Sequence, residues 1–177
     1  MNTTSITSIQ EALKTAIDME IKGCAFYKEV AGTYKDSLTK DIFDGLAADE
    51  VLHRKAIETY YNSIREHRGL PPLSSVLSGE PERDRSIFSR SFDELAGAIG
   101  AGTDVTEAYK TGMELEKTGY DYYEKILNTA KDREIKELFR FLLKEENQHY
   151  TLLARTYGYL TRPQDTFDDE EKPFFEG

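Results

Sequence analysis

Two copies of one short pattern carry the residues best suited to chemistry: a glutamate followed three residues later by a histidine. The first copy is Glu50 with His53, and the second is Glu146 with His149. Both stretches lack proline and glycine and predict helix, so the spacing puts the two side chains of each copy on one helical face. A carboxylate and an imidazole placed in this way can bind a divalent metal ion, so each copy of the motif is expected to serve one ion.

The two copies belong to a longer internal repeat, whose offset is the 96 residues between Glu50 and Glu146. Each copy is preceded, thirty residues earlier, by a further glutamate at Glu20 or Glu116. The same offset aligns small, aromatic and apolar residues in both halves: Gly23 with Gly119, Tyr27 with Tyr123, Phe43 with Phe139, and Leu46 with Leu142. The chain is therefore predicted to be a duplicated helical hairpin.

A single Glu-x-x-His pattern is most often a solvated pair on a helix surface. Two copies, each with a further glutamate at the same distance, instead favour a metal site inside a helical bundle. Because unpaired buried carboxylates are costly and no lysine or arginine occupies these positions, cations must balance them. Oxygen and nitrogen ligands without a thiolate favour two iron or manganese ions over a structural zinc. The candidate metal ligands are Glu20, Glu50, His53, Glu116, Glu146 and His149.

Four neighbouring residues each leave two interpretations open. Tyr27 and Tyr123 lie seven residues after the first glutamate of their repeat, and they are either core aromatics or hydrogen-bond donors to a ligand carboxylate. Asp49 and Glu145 lie four residues before a histidine, and they are either solvated or orient an imidazole across the bundle. Without metal, like charges in a dry interior predict a raised pKa for all four ligand glutamates.

Long helices must position these side chains. Four long helices are predicted. The first begins at a capping box of Ser8 and Glu11, and the second extends from about Ser37 to His67. The third begins at Asp104, and the fourth extends from about Asp132 to Tyr157. Residues 69–103 are rich in proline, serine and glycine, with one short helical candidate from about Phe92 to Ile99. The expected fold class is all-α, a four-helix bundle with this long crossover between helices 2 and 3. The bundle is expected to occupy residues 1–163, followed by an acidic C-terminal tail at 164–177.

Composition narrows the functional classes. A chain of 177 residues with 38% hydrophobic residues suits one compact domain. A formal net charge of -10 argues against nucleic acid and anionic membranes as partners. The first ten residues lack both a basic residue and an apolar run, so no signal peptide is predicted and the expected location is cytoplasmic. The single cysteine, Cys24, excludes an internal disulfide and is expected to be a small buried residue.

The content of tyrosine and phenylalanine predicts some exposed aromatic surface. Together with the long crossover, it suggests a homodimer in which the crossover, or the pair Phe174 and Phe175, covers a neighbour's helices. His67 has no counterpart in the repeat, and we expect it at the surface.

Within residues 8–158 the doubled pattern comprises Glu20-x-x-Gly-x-x-Phe-Tyr, Asp49-Glu50-x-x-His53, Glu116-x-x-Gly-x-x-Tyr-Tyr and Glu145-Glu146-x-x-His149. It resembles the ferritin-like di-iron carboxylate family, and most closely the rubrerythrin-related branch. The resemblance implies a ferritin-like bundle whose six candidate ligands bind two iron ions, with Glu50 and Glu146 best placed to bridge and with manganese or zinc as substitutes. It also implies a non-haem di-iron oxidoreductase of peroxidase or ferroxidase type, which oxidises ferrous iron with peroxide or dioxygen for peroxide removal or iron handling.

Two departures from this branch bear on the activity. Rubrerythrins usually carry another glutamate three residues after the third-helix ligand, where this chain has Gly119. They also carry a rubredoxin domain with Cys-x-x-Cys pairs, which a single cysteine cannot form, so electrons must come from a separate donor protein. Two alternatives of other classes stay open: a non-catalytic metal-binding or partner-binding bundle, and a ferritin-like iron-storage subunit.

Overall fold

The computed structural model describes residues 9–34, 36–78 and 105–162. All regular structure in these ranges is helical, without a strand, and the predicted all-α class is confirmed. The helices are α1 (Ile9–Thr33), α2 (Ser37–Arg65), α3 (Leu73–Leu77), α4 (Val105–Thr129) and α5 (Arg133–Thr161).

Helix α2 begins and ends close to its predicted limits. At its start the Asp36 carboxylate accepts a hydrogen bond of 2.8 Å from the Thr39 backbone N–H, which satisfies one of the free donors of the first turn. The last helical residue is Arg65, and the nearby His67 has a φ of 53°. This left-handed conformation is a common way to end a helix.

Helix α5 extends to Thr161, past the predicted end at Tyr157. The first residue that cannot continue the helix is Pro163, which also disfavours helical geometry at the residue before it. The predicted end of this helix at Tyr157 was therefore too early. The predicted N-terminal caps at Ser8 and Asp104 lie outside the described residues.

The helices pack as two hairpins, α1 with α2 and α4 with α5, which meet mainly through α1 with α4 and α2 with α5. Each hairpin repeats one aromatic contact: the ring centroids of Tyr27 and Phe43 lie 5.8 Å apart, and those of Tyr123 and Phe139 lie 5.5 Å apart. These pairs belong to two apolar core clusters, one toward each end of the bundle. The middle of the bundle, between the clusters, is left for the polar residues of the repeat.

One short helix of the crossover was not predicted. Helix α3 packs against α2 and α5, with Leu73 and Val76 half-buried against the core cluster at that end. The predicted helical candidate from Phe92 to Ile99 and the acidic tail at 164–177 lie outside the described residues.

The described surface has little exposed apolar area. Ile21, with 44% of its area exposed, is the one exposed large hydrophobic residue of the described ranges, where every tyrosine and phenylalanine is buried or half-buried. The exposed aromatic surface on which the homodimer prediction rested is thus absent from this part of the chain. Cys24 is buried and His67 is exposed, as expected. No helix in the described ranges is both long and apolar enough to cross a membrane.

Candidate metal centre

The bundle brings the six candidate ligands together in its middle. Their exposed fractions lie between 1% and 5%, so water does not screen their charges. Each of the four long helices contributes at least one of them. Glu20 on α1 and Glu116 on α4 are called the seam glutamates below, and the Glu-x-x-His pairs come from α2 and α5. The ligands are Glu20, Glu50, His53, Glu116, Glu146 and His149.

These residues form two groups, each with ligand atoms within 4.8 Å of one another. The first group is Glu20, His53 and Glu146, and the second is Glu116, His149 and Glu50. Each group takes a seam glutamate and a histidine from one hairpin and a glutamate from the other. The two residues of each Glu-x-x-His motif therefore fall into different groups, which differs from the expectation that each motif would serve one ion.

The donor atoms of both groups are suited to metal. Glu20 Oε2, His53 Nδ1 and Glu116 Oε2 are buried and have no hydrogen-bond partner among the described residues. His53 Nδ1 lies 3.5 Å from Glu20 Oε2, and in the second group His149 Nδ1 lies 3.4 Å from the Glu116 carboxylate. Buried polar atoms without partners are costly, and cations bound between them would remove that cost. The residues therefore fit a pair of divalent ions.

Acids of the opposite hairpin lie at the other nitrogen of each imidazole. His149 Nε2 is 3.2 Å from Asp49 Oδ2, and His53 Nε2 is 3.9 Å from Glu145 Oε2. Both acids are buried rather than solvated, with exposed fractions of 3%. Each acid can hold its histidine with Nδ1 turned toward the carboxylates, which was one of the two interpretations left open by the sequence.

The two tyrosines also reach across the bundle. The Tyr27 hydroxyl donates a hydrogen bond to Glu116 Oε1, and the Tyr123 hydroxyl donates one to Glu20 Oε1. Each tyrosine thus holds one oxygen of the seam glutamate of the other repeat, and the second oxygen stays directed at its own group. Of the two interpretations left open by the sequence, both apply: the rings pack in the core clusters and the hydroxyls donate to ligand carboxylates.

Comparison with known proteins agrees with this arrangement. The family model of rubrerythrin matches residues 11–157, which is most of the chain. The chain belongs to the rubrerythrin family. No match was found in searches of curated protein sequences and of solved structures. The match to the family covers all six candidate ligands and both hairpins, and it implies that this rubrerythrin-family chain binds a di-iron centre.

In this member of the rubrerythrin family the metal-free carboxylates share protons unequally. Burial raises the pKa of Glu50 well above its usual value, and the charge of Glu20 raises it further. The pKa of Glu146 is raised in the same way, by burial and by the charge of Glu116. One carboxyl group of each close pair therefore binds a proton more tightly than its neighbour, because two adjacent buried carboxylates repel each other.

The expectation of a raised pKa is wrong for the two seam glutamates. Burial works against ionisation of Glu20, but the nearby Glu50 and His53 side chains and the hydrogen bond from Tyr123 lower its pKa below the usual value. Burial likewise disfavours ionised Glu116, but the charge of His149, followed by hydrogen bonds, lowers its pKa. Neighbouring groups on other helices stabilise these two carboxylates, and spacing along the chain does not reveal such neighbours.

One neighbour of the site was missed by sequence reasoning. Phe141 lies edge-on to His53, with ring centroids 5.9 Å apart and planes at 88°. It stands four residues before Glu145, on the same face of α5, and this spacing was the signal that could have revealed it. The ring covers the histidine of the first group with apolar surface.

Proposed function

We propose that this rubrerythrin-family protein is a non-haem di-iron oxidoreductase that oxidises ferrous iron with peroxide or dioxygen. The observation that supports the proposal is the pair of matched buried groups, each of two carboxylates and one imidazole. Carboxylate and imidazole ligands suit iron and manganese, and a pair of ions can store two electrons. The metal ligands are Glu20, Glu50, His53, Glu116, Glu146 and His149.

Glu50 and Glu146 would connect the two groups of ligands. They would be the ligands common to both metal positions, because each belongs to one group and also contacts the seam glutamate of the other. When bound, two ferrous ions would give two electrons to one peroxide, which takes up two protons and leaves as two water molecules. Glu50 and Glu146 bind protons more tightly than usual in the metal-free site, and metal binding would compete with these protons.

The neighbouring residues would fix the ligands. Tyr27 and Tyr123 would keep the seam glutamates directed at the ions, and their own pKa values, raised by burial, keep both hydroxyls protonated as donors. Asp49 and Glu145 would hold the imidazoles by Nε2, so that Nδ1 remains the ligand atom. Phe141 would exclude water from His53.

Two partners belong to the same proposal. A separate electron-donor protein would reduce the ferric centre, because one cysteine cannot provide the thiolates of a rubredoxin site. A homodimer would form through the crossover or the tail, and light scattering at micromolar concentration tests it. A strictly monomeric protein would reject the dimer and leave the metal centre unaffected.

The activity is tested with anaerobic protein loaded with ferrous iron. We expect about two ions per chain, one for each group of ligands. Addition of one equivalent of peroxide should give rapid ferric absorption in the near ultraviolet, and chemical reduction should restore the starting state for another turnover. The double variant His53→Ala with His149→Ala should bind neither ion, whereas the exposed control His67→Ala should behave as the wild type.

The same experiment separates the alternatives. A bundle that only binds metal would hold two ions but oxidise them no faster than iron in buffer. A storage subunit would oxidise and retain many more ions per chain, inside a large assembly. Full metal content in the double histidine variant would contradict the assignment of the ligands.

A further inference from the structure

Two glycines at matched positions lie directly against the two glutamates that are shared between the groups. A Cβ atom added to Gly23, on α1, would lie 3.0 Å from Glu50 Oε2 and 3.3 Å from its Cδ. A Cβ atom added to Gly119, on α4, would lie 3.1 Å from Glu146 Oε2 and 3.3 Å from its Cδ. All four distances are shorter than an ordinary van der Waals contact. An alanine at either position would therefore require the carboxylate to shift by a few tenths of an ångström.

The remaining helical glycines of the described ranges do not share this property. At Gly32, Gly45 and Gly158 an added Cβ atom would meet no described atom within 4 Å. At Gly112 it would meet Leu153 Cδ1 at 3.0 Å, an apolar side chain of the core. A close approach to a carboxylate thus occurs at the two repeat-related positions and at no other helical glycine that the structure describes.

Glycine inside a helix is unfavourable compared with alanine, because it loses more backbone freedom on folding. Gly23 and Gly119 lie in the interiors of 25-residue helices, far from either end. The left-handed backbone conformation that often explains a glycine is absent from both. What distinguishes these two positions is the carboxylate against their backbone.

We infer that Gly23 and Gly119 are positioning residues, which seat Glu50 and Glu146 between the two metal positions. The inference rests on the proposed di-metal site. Each glycine stands one turn after the seam glutamate of its own helix and on the same face, next to the group that this glutamate serves. A methyl group there would push the shared carboxylate away from that helix, and so away from the seam glutamate with which it must share an ion.

The two groups would then no longer be joined. Glu50 would remain near His149, 3.6 Å from its Nδ1, but would lose its place beside Glu20. By the symmetry of the repeat, a displaced Glu146 would lose its place beside Glu116. Gly119 also stands where rubrerythrins usually have a further glutamate, and here the carboxylate of Glu146 fills that space.

The test uses manganese(II) as probe, with the variants Gly23→Ala and Gly119→Ala. Wild-type protein should bind about two ions and give the electron paramagnetic resonance spectrum of an exchange-coupled pair. Each variant should bind the pair about tenfold more weakly or worse, which is the usual cost of disturbing groups that orient ligands. The coupled spectrum should be replaced by that of isolated ions, while the melting temperature of the metal-free protein stays the same or rises.

Two matched controls distinguish displacement of the shared carboxylates from a general effect of an added methyl group on core packing. Gly32→Ala, on the same helix as Gly23, adds a methyl group in open space and should change neither the spectrum nor the affinity. Gly112→Ala, on the same helix as Gly119, adds one against Leu153 and should alter the melting temperature but keep the coupled pair.

Every outcome decides the inference. If both glycine variants keep the coupled pair at wild-type affinity, the seating role is wrong and the di-metal site stands. If Gly112→Ala loses the pair as readily as Gly119→Ala, the effect belongs to general packing and the inference is wrong. If wild-type protein forms no pair, the proposed function fails together with it. Loss confined to Gly23→Ala and Gly119→Ala supports the inference.

Discussion

Asp49 Oδ2 lies 3.2 Å from His149 Nε2, so an acid of the first hairpin holds the histidine of the second. The reciprocal contact, from Glu145 to His53, is longer at 3.9 Å. Two residues that are 100 positions apart in the chain thus meet in the interior. The orientation of each imidazole depends on correct packing of the other hairpin.

Replacement of these acids should weaken metal binding without removing a ligand. We expect Asp49→Asn and Glu145→Gln to reduce metal affinity by roughly 10- to 100-fold, because an amide holds the imidazole less firmly and does not fix its tautomer. The shorter contact predicts the larger effect for Asp49→Asn. Titration with ferrous iron or manganese(II) measures it. Asp44→Asn, at an exposed pair with Lys40, serves as control. Equal affinities in all three variants would show that the two acids do not orient the histidines.

The tyrosine hydroxyls should stabilise the metal-free protein. Tyr27→Phe and Tyr123→Phe each remove a donor from a buried carboxylate, which predicts a loss of about 1–3 kcal/mol in the free energy of unfolding. Denaturant unfolding of chelator-treated protein measures this loss. The control is Tyr60→Phe, since Tyr60 is equally buried but its hydroxyl has no hydrogen-bond partner in the described ranges. A loss as large in the control would attribute the effect to packing of the ring.

The stability of the metal-free protein should fall as the pH rises toward neutral. Glu50 and Glu146 have folded-state pKa values well above the ordinary value of 4.5. Below pH 4.5 they stabilise the fold fully, and this contribution is lost as the pH rises toward their folded pKa. His53 acts in the same direction above the ordinary histidine pKa of 6.5: burial alone would lower its pKa, but Glu145 and Glu20 raise it.

The seam glutamates have the opposite effect in a lower pH range. Their pKa values are lowered from 4.5, so their contribution is present above pH 4.5 and is lost as the pH falls through the lowered values. The site should therefore stabilise the metal-free fold most near pH 4.5. Melting curves with chelator from pH 4 to pH 8 test this expectation, and a melting temperature that rises steadily over the range would contradict it.

Metal should reverse this dependence. An ion present at about a hundred times its dissociation constant adds roughly 2.7 kcal/mol per site, and binding is stronger at neutral pH because fewer protons compete. The difference in melting temperature between loaded and metal-free protein should thus widen from mildly acidic to neutral pH. Glu146→Gln should flatten the metal-free curve and weaken binding, since it removes one titrating group and keeps the shape. If loaded and metal-free wild type were equally stable at neutral pH, the acids would not bind metal in the core.

The sequence by itself determined the four long helices and the six inward residues. Helical periodicity is local, so the spacing within Glu-x-x-His and the turn signals around Ser37 and Pro71 were sufficient to place them. Duplication supplied a second, independent copy of each spacing. The joint occurrence of both copies made a buried site the better interpretation of either one.

Only the tertiary structure decided how the two copies combine. The division of each motif between two groups, the contact of Asp49 with His149 and the seating of Glu146 against Gly119 all join residues of different helices. The unequal proton affinities of Glu20 and Glu50 also follow from donors that arrive across the bundle. Periodicity fixes which face of a helix is buried but not which residues of the facing helix it meets, because that depends on the relative shift and rotation of two hairpins joined by a long crossover.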